Sequence, residues 1–142
     1  MKERNGEFKV DIYTLDTIAF LAFLVDELPP EANNIFKKAE DDQVTLIIPS
    51  IVIGELIYTI LKGKEIFGKK IPIEKINTIF EVIRGSRSIL LADMKLNCWF
   101  IFLDLDIPEL HDRMIFALHL SYQSLAILTN DPEIQKKTNT IW

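Results

Sequence analysis

Cysteine is almost missing: Cys98 is the only one in 142 residues. That excludes an internal disulfide and any zinc site built from several thiolates. Cys98 lies in the apolar run Leu96 to Leu103, so it reads as a core thiol and not as a nucleophile. Long apolar runs are also missing, and none approaches the roughly 20 residues that cross a bilayer. Met1 to Glu7 is too polar for the apolar centre of a secretory signal, so a cytoplasmic protein that uses no membrane is expected. Positive charge is short as well. The formal net charge of −5 argues against gripping nucleic acid by charge alone. Phosphate-cradling and nucleophile-elbow glycine motifs do not occur. The two histidines, His111 and His119, are not at the four-residue spacing of a helical zinc pair. His111 reads as a helix-end or surface residue and His119 as a packed one.

What is present is a folded chain. With 49% hydrophobic and 26% charged residues, it can bury a core of its own. Residues 1–7 are expected to form a flexible tail and 8–142 a single domain. Phe8 to Leu15 alternates and then turns apolar, as a strand entering a sheet does. It stops at Asp16, a good helix N-cap, and Ile18 to Val25 continues as an apolar helix. Pro29-Pro30 breaks the chain before a more polar helix, Glu31 to Asp41. Val44 to Ile48 is a second strand, and Ser50 is placed to cap the apolar helix Ile51 to Leu61.

Between Lys62 and Arg87 seven basic residues face three acids, so the negative balance is carried elsewhere. A solvated loop and helix, or a phosphate-binding rim, both fit that segment. Pro72 starts a helix over Ile73 to Arg84, and Ser88 to Ala92 is a third strand. Asp93 is expected to cap a helix running to Leu103. A helix over Glu109 to Tyr122, a strand over Leu125 to Leu128, a turn of helix opened by Asp131-Pro132 and an edge strand at Thr140 to Trp142 complete the chain.

Strands separated throughout by helices imply an α/β fold with a mostly parallel sheet covered on both faces. Ligands of such sheets bind beyond the carboxyl ends of the strands. Asp16 and Asp131 fall there, and Glu55 and Asp112 lie on helices that can be aimed at the same end. Glu55 is the sharpest case. An unpaired carboxylate on an apolar helix costs several kcal/mol, and Lys62 and Lys64 lie two turns away or more. Asp112 also suits the positive end of its helix, yet it shares a face with Ile115, Phe116 and His119. If Asp16, Glu55, Asp112 and Asp131 converge, their repulsion calls for a cation or raised pKa values. An all-oxygen set suits Mg²⁺ or Mn²⁺, and such a site can orient a phosphodiester and activate a water. Two other acidic arrangements fit less well. Leu103-Asp104-Leu105-Asp106 looks like a dehalogenase-type phosphatase motif, but too few residues follow it. A receiver domain needs paired acids after the first strand and a late lysine, and neither is supplied.

In order and spacing, Leu15-Asp16-Thr17, Ile53-Gly54-Glu55-Leu56, Leu110-His111-Asp112-Arg113-Met114-Ile115 and Leu128-Thr129-Asn130-Asp131 resemble the PIN domain of the VapC toxins, from about Val10 to Trp142. The resemblance implies a three-layer α/β/α fold with a five-stranded parallel sheet. It implies a Mg²⁺- or Mn²⁺-dependent endoribonuclease, often homodimeric, working as the toxin of a toxin–antitoxin pair. Asp16, Glu55, Asp112 and Asp131 would be the metal-binding and catalytic acids, supported by Thr17 and Asn130. Asp16 and Asp112 would hold the principal metal, Asp131 would complete or water-bridge the site, and Glu55 would help ligate the metal or orient the attacking water. The partners implied are an RNA substrate, an antitoxin protein and a second copy of the chain, for which the apolar helices after Asp16 and Ser50 offer surface. A nuclease of RNA maturation or quality control, and a catalytically silent PIN-like binding module, are the alternatives. The long basic stretch Lys62 to Lys75 departs from the family pattern.

Overall fold

Five short β-branched or leucine-rich segments line up in parallel, and the helices between them cover both faces of the resulting sheet. The computed structural model describes residues 2–4 and 7–142. Lys2–Arg4 (β1) and Glu7–Lys9 (β2) pair antiparallel as a sheet of their own. Part of the expected flexible tail thus lies in this pairing, and residues 1, 5 and 6 lie outside the described residues. The expected first strand is divided. Phe8 belongs to β2, and the strand that enters the main sheet is Ile12–Leu15 (β3).

Thr17–Leu24 (α1) follows directly, and Asp16 caps it by accepting from the Thr17 N–H at 2.7 Å. Pro30–Glu40 (α2) leads to Thr45–Pro49 (β4), and Ser50–Leu61 (α3) begins at once. Ser50 is the first residue of α3 and not its cap; that position is Pro49, which offers no side-chain acceptor. Glu65–Ile66 (β5) and Lys69–Lys70 (β6) form a small hairpin. Its two turn residues, Phe67 and Gly68, sit at φ 52° and 72°, the left-handed pair that matches strand twist in tight hairpins. Lys75–Gly85 (α4), Ile89–Ala92 (β7), Leu96–Leu103 (α5) and Leu110–Ser121 (α6) come next. Asp93 does not cap α5. Lys95 holds that position, without a side-chain bond, because the chain needs three more residues to leave the sheet. Ala126–Leu128 (β8), Pro132–Gln135 (α7) and Thr140–Ile141 (β9) close the chain.

The main sheet has the order β7-β4-β3-β8-β9 and every pairing in it is parallel. Alternate residues of β4 separate the two faces. Leu46 and Ile48 enter the larger core with Phe20 of α1 and Phe36 of α2. Ile47 turns the other way, into a smaller cluster with Ala92, Cys98 and Leu118, and Cys98 is buried as expected. From β3 the chain moves to β4 and β7 on one side, then returns to add β8 and β9 on the other. That reversal opens a crevice at the carboxyl ends of β3 and β8, where parallel sheets place ligands.

Candidate active site

Asp16 sits in that crevice. Its backbone N–H extends the β3–β8 ladder to Leu128 O at 3.1 Å, so the residue is held by the sheet and the helix together. Its side chain is only 7% exposed. One carboxylate oxygen accepts from Thr17 N–H, and the other accepts from the Thr129 hydroxyl at 2.6 Å. Burial pushes its pKa up to about 6, against the pull of those two donors, and the charges of Glu55 and Asp131 add to the rise.

Thr129 is fully buried at the end of β8. While donating to Asp16, its hydroxyl oxygen accepts from the Asp131 N–H at 3.0 Å. One hydroxyl therefore sets the distance between two acids. Asp131 caps α7, accepting from Glu133 N–H at 2.8 Å and Ile134 N–H at 3.4 Å. Replacing Thr129 by Val should leave a buried carboxylate oxygen and an amide without partners. We expect a loss of about 1–3 kcal/mol in urea unfolding at pH 8.

Asp112 lies in the first turn of α6, which Glu109 caps by accepting from the Asp112 N–H at 2.6 Å. Partial burial first, and then the charges of Asp131, Asp16 and Glu109, push the Asp112 pKa up to about 7. A hydrogen bond from its protonated form to Asp131 acts in the same direction. Two carboxyl groups this close cannot both ionise cheaply. The face shared with Ile115, Phe116 and His119 is buried, as its composition suggested.

Glu55 is neither fully buried nor unpaired. It is half-exposed on α3, with one oxygen accepting from the Thr17 hydroxyl at 2.7 Å and the other facing His111 Nδ1 at 2.7 Å. A carboxylate oxygen accepts, so the proton between the two groups lies on Nδ1. His111 is accordingly not a mere helix-end residue; it satisfies the acid that looked stranded. Arg113 points away from the crevice. It donates to Phe102 O at 2.8 Å and Leu103 O at 3.1 Å, and covers the Phe102 ring, closing the end of α5. His119 is packed as expected, held by Ser124 and by Thr138 at 3.0 Å, and its burial lowers its pKa.

Asp16, Thr17, Glu55, Asp112, Asn130 and Asp131 line one open cleft of about 300 Å³, walled on one side by Ile18 and Leu21. All six sequence-selected residues thus meet in it. Among the described residues no group of three His, Cys, Asp or Glu side chains is arranged to hold a metal ion as it stands, and Glu55 is turned toward Thr17 and His111. Two residues that hold the acids, Thr129 and His111, were missed as site residues. Thr129 had one signal: it is a hydroxyl at the end of a wholly apolar strand.

Protein-family models and curated protein sequences give no match to the chain. Solved structures do. A chain of VapBC2 from Rickettsia felis, in a structure bound to a DNA fragment from its promoter, superimposes with a TM-score of 0.68. That match has 21% identity over 92% of this chain and 98% of the other. This is the VapC fold. VapC20 from Mycobacterium tuberculosis, a Sarcin-Ricin loop cleaving toxin, matches with a TM-score of 0.60 and 13% identity. That alignment covers 87% of this chain and 93% of VapC20. At these identities the likeness concerns architecture, and the resemblance read from the four short motifs is borne out at that level. The VapC fold places the crevice; what occupies it depends on this chain's own side chains.

Proposed function

We propose that the protein is a divalent-metal-dependent endoribonuclease, the toxin of a toxin–antitoxin pair. The observation that carries this reading is the meeting of four acids from distant parts of the chain in one open cleft. Two of them, Asp16 and Asp112, are forced toward neutrality there. Such a cluster is costly unless a cation offsets it. The donors are all carboxylate oxygens, which suits a hard ion, Mg²⁺ or Mn²⁺, better than zinc or copper. Asp16 and Asp112 would hold it, with Asp131 beside them. A bound divalent cation supplies Lewis-acid polarisation of a phosphodiester and eases deprotonation of water.

The chain's own groups do the rest. Thr129 fixes the spacing of Asp16 and Asp131. Thr17 and His111 hold the two oxygens of Glu55, so this carboxylate stands at the cleft in one orientation, placed to align an attacking water. Asn130, exposed on the rim, offers an amide to a phosphate oxygen. The purified protein should cut RNA internally with Mn²⁺ or Mg²⁺ and stop when chelator is added. Cleavage that persists in chelator would sink the metal-dependent reading.

The pairing named in the VapBC2 structure supports a protein antitoxin here, and the fold family suggests a homodimer. The surface for a second copy is not α1, whose Ala19, Phe20, Leu21, Ala22 and Leu24 are core. It is α5 with the β7 edge, where Leu91, Leu96, Phe100 and Leu103 are 49%, 71%, 62% and 70% exposed. A patch of this kind marks an interface. Sedimentation should show a dimer that Phe100→Glu with Leu103→Glu converts to monomer without unfolding it. A monomeric parent would refute this assignment.

A further inference from the structure

Glu55 lies on a helix that leads out of the acidic cleft, and the far end of that helix is basic. Glu55, Tyr58 and Lys62 fall at i, i+3 and i+7 and so share one face of α3. Along the axis Lys62 stands about 10 Å beyond Glu55 at 1.5 Å per residue. Tyr58 is 57% exposed, a large aromatic with no core to serve. The Lys62 ammonium lies 5.3 Å from its ring centroid. Past Lys62 the chain turns at Gly63, whose φ of +67° favours glycine. Lys70 packs over that turn, its Nζ 3.2 Å from where a Gly63 side chain would begin.

A cavity of about 360 Å³ opens there, lined by Ile71 and Pro72 together with Lys62 and Lys70. Its size falls in the range of small-ligand pockets, roughly 300–1,000 Å³. The hairpin that carries Lys70 is anchored to the body of the protein. Lys69 donates to Val25 O at 3.0 Å and pairs with Glu27 at 2.9 Å. Lys69 is thereby occupied, whereas Lys62 and Lys70 make no ion pair among the described residues. An exposed aromatic with an ammonium group over its ring, that ammonium shared with a pocket lined by a second lysine and apolar residues, is the combination that holds single-stranded nucleic acid: a face for a base and charges for its phosphates.

We infer that single-stranded RNA entering the acidic cleft continues along α3, stacking a base on Tyr58 and seating the following nucleotide in the pocket between Lys62 and Lys70. The inference rests on the nuclease reading above and adds its substrate track. The base displaces Lys62 from the Tyr58 ring onto a flanking phosphate. This local positive end offsets the net −5 charge of the chain, which by itself repels a polyanion. Pairing of lysines with phosphates ties affinity to salt.

The test measures binding of a fluorescein-labelled mixed-sequence single-stranded RNA to the full chain carrying Asp16→Asn, over a series of salt concentrations with Mg²⁺ present. Tyr58→Ala should weaken binding about 5- to 150-fold, the worth of one stacked base, whereas Tyr58→Phe should bind like the parent. Lys62→Ala with Lys70→Ala should flatten the slope of log K against log salt by roughly 1.4, that is about 0.7 for each phosphate no longer neutralised. These side chains are peripheral, and unchanged melting of each variant checks its fold. Unchanged affinity and slope in all variants, with the unsubstituted chain still cutting RNA, overturns the track and leaves the nuclease reading intact. A chain that neither cuts nor binds RNA overturns both. If the substitutions spare RNA binding but abolish inhibition by a co-expressed protein, the surface serves that protein and the track is refuted.

Discussion

Asp16→Asn should abolish RNA cleavage and, in chelator at pH 8, make the protein harder to unfold. Loss of activity follows if Asp16 is a principal ligand of the cation. Removing one well-placed electrostatic group from such a centre costs about 10²- to 10³-fold in rate, and rates within tenfold of the parent would exclude Asp16 from the mechanism. The stability gain has a separate cause. The Asp16 carboxyl titrates at about 6 in the folded protein against an ordinary 3.8. A raised carboxyl pKa means that the folded state binds more protons than the unfolded one between those values. Stability therefore falls as pH rises through that window, and the full penalty is present above it. For Asp16 it is on the order of 3 kcal/mol at 1.36 kcal/mol per pKa unit. Asparagine carries no charge to desolvate and remains a good N-cap. Its advantage should shrink to about 0.5 kcal/mol near pH 4, where Asp16 is largely protonated in the folded state and nearly half-protonated in the unfolded one. Urea unfolding of parent and variant at pH 4 and pH 8 reads both limbs, and a variant no more stable than the parent at pH 8 would contradict this account.

The second large effect is stabilisation by metal. A cation that binds only the folded state adds RT ln(1 + [L]/Kd), about 2.7 kcal/mol at a hundredfold excess over Kd. For a chain of this size each kcal/mol moves Tm by about 2–4 °C, so saturating Mn²⁺ should raise Tm on the order of 5–10 °C at pH 8. Protons compete for the same oxygens. With Asp112 raised to about 7 and Asp16 to about 6, the shift should shrink below pH 6. Asp112→Asn should remove it. A shift of equal size in that variant would place the metal elsewhere on the surface.

These two outcomes are linked by one property of the cleft. In the absence of a cation the acids destabilise the fold that carries them, as functional sites commonly do. Thr129, Thr17 and His111 limit that cost by supplying donors. They also keep the Asp16 and Glu55 carboxylates in one orientation, which is what a metal or a water needs to find.

The elements of the fold were largely legible in the chain because each is specified locally. Apolar, β-branched runs such as Val44 to Ile48 and Ile89 to Ala92 are too short for helices, and the intervening segments carry helical periodicity. Strands alternating with helices then permit few arrangements. The errors have local causes too. Alternation from Phe8 to Leu15 does not say where one partner strand ends and another begins, and the chain changes partner at Val10-Asp11. Asp93 is a good cap by type, but the distance from sheet to helix made Lys95 the first residue that could hold that position.

By itself the sequence determined that four acids fall at strand ends or on helices facing them, because an element's length and its stop signals are local properties. Which acid leans on which donor was decided only by the tertiary structure. Thr129 reaches Asp16 across 113 residues and His111 reaches Glu55 across 56. The physical reason is the β3–β8 pairing for the first and the packing of α6 against α3 for the second. Both bring distant parts of the chain side by side, and no periodicity within either part encodes the hydroxyl and the imidazole that then come into reach.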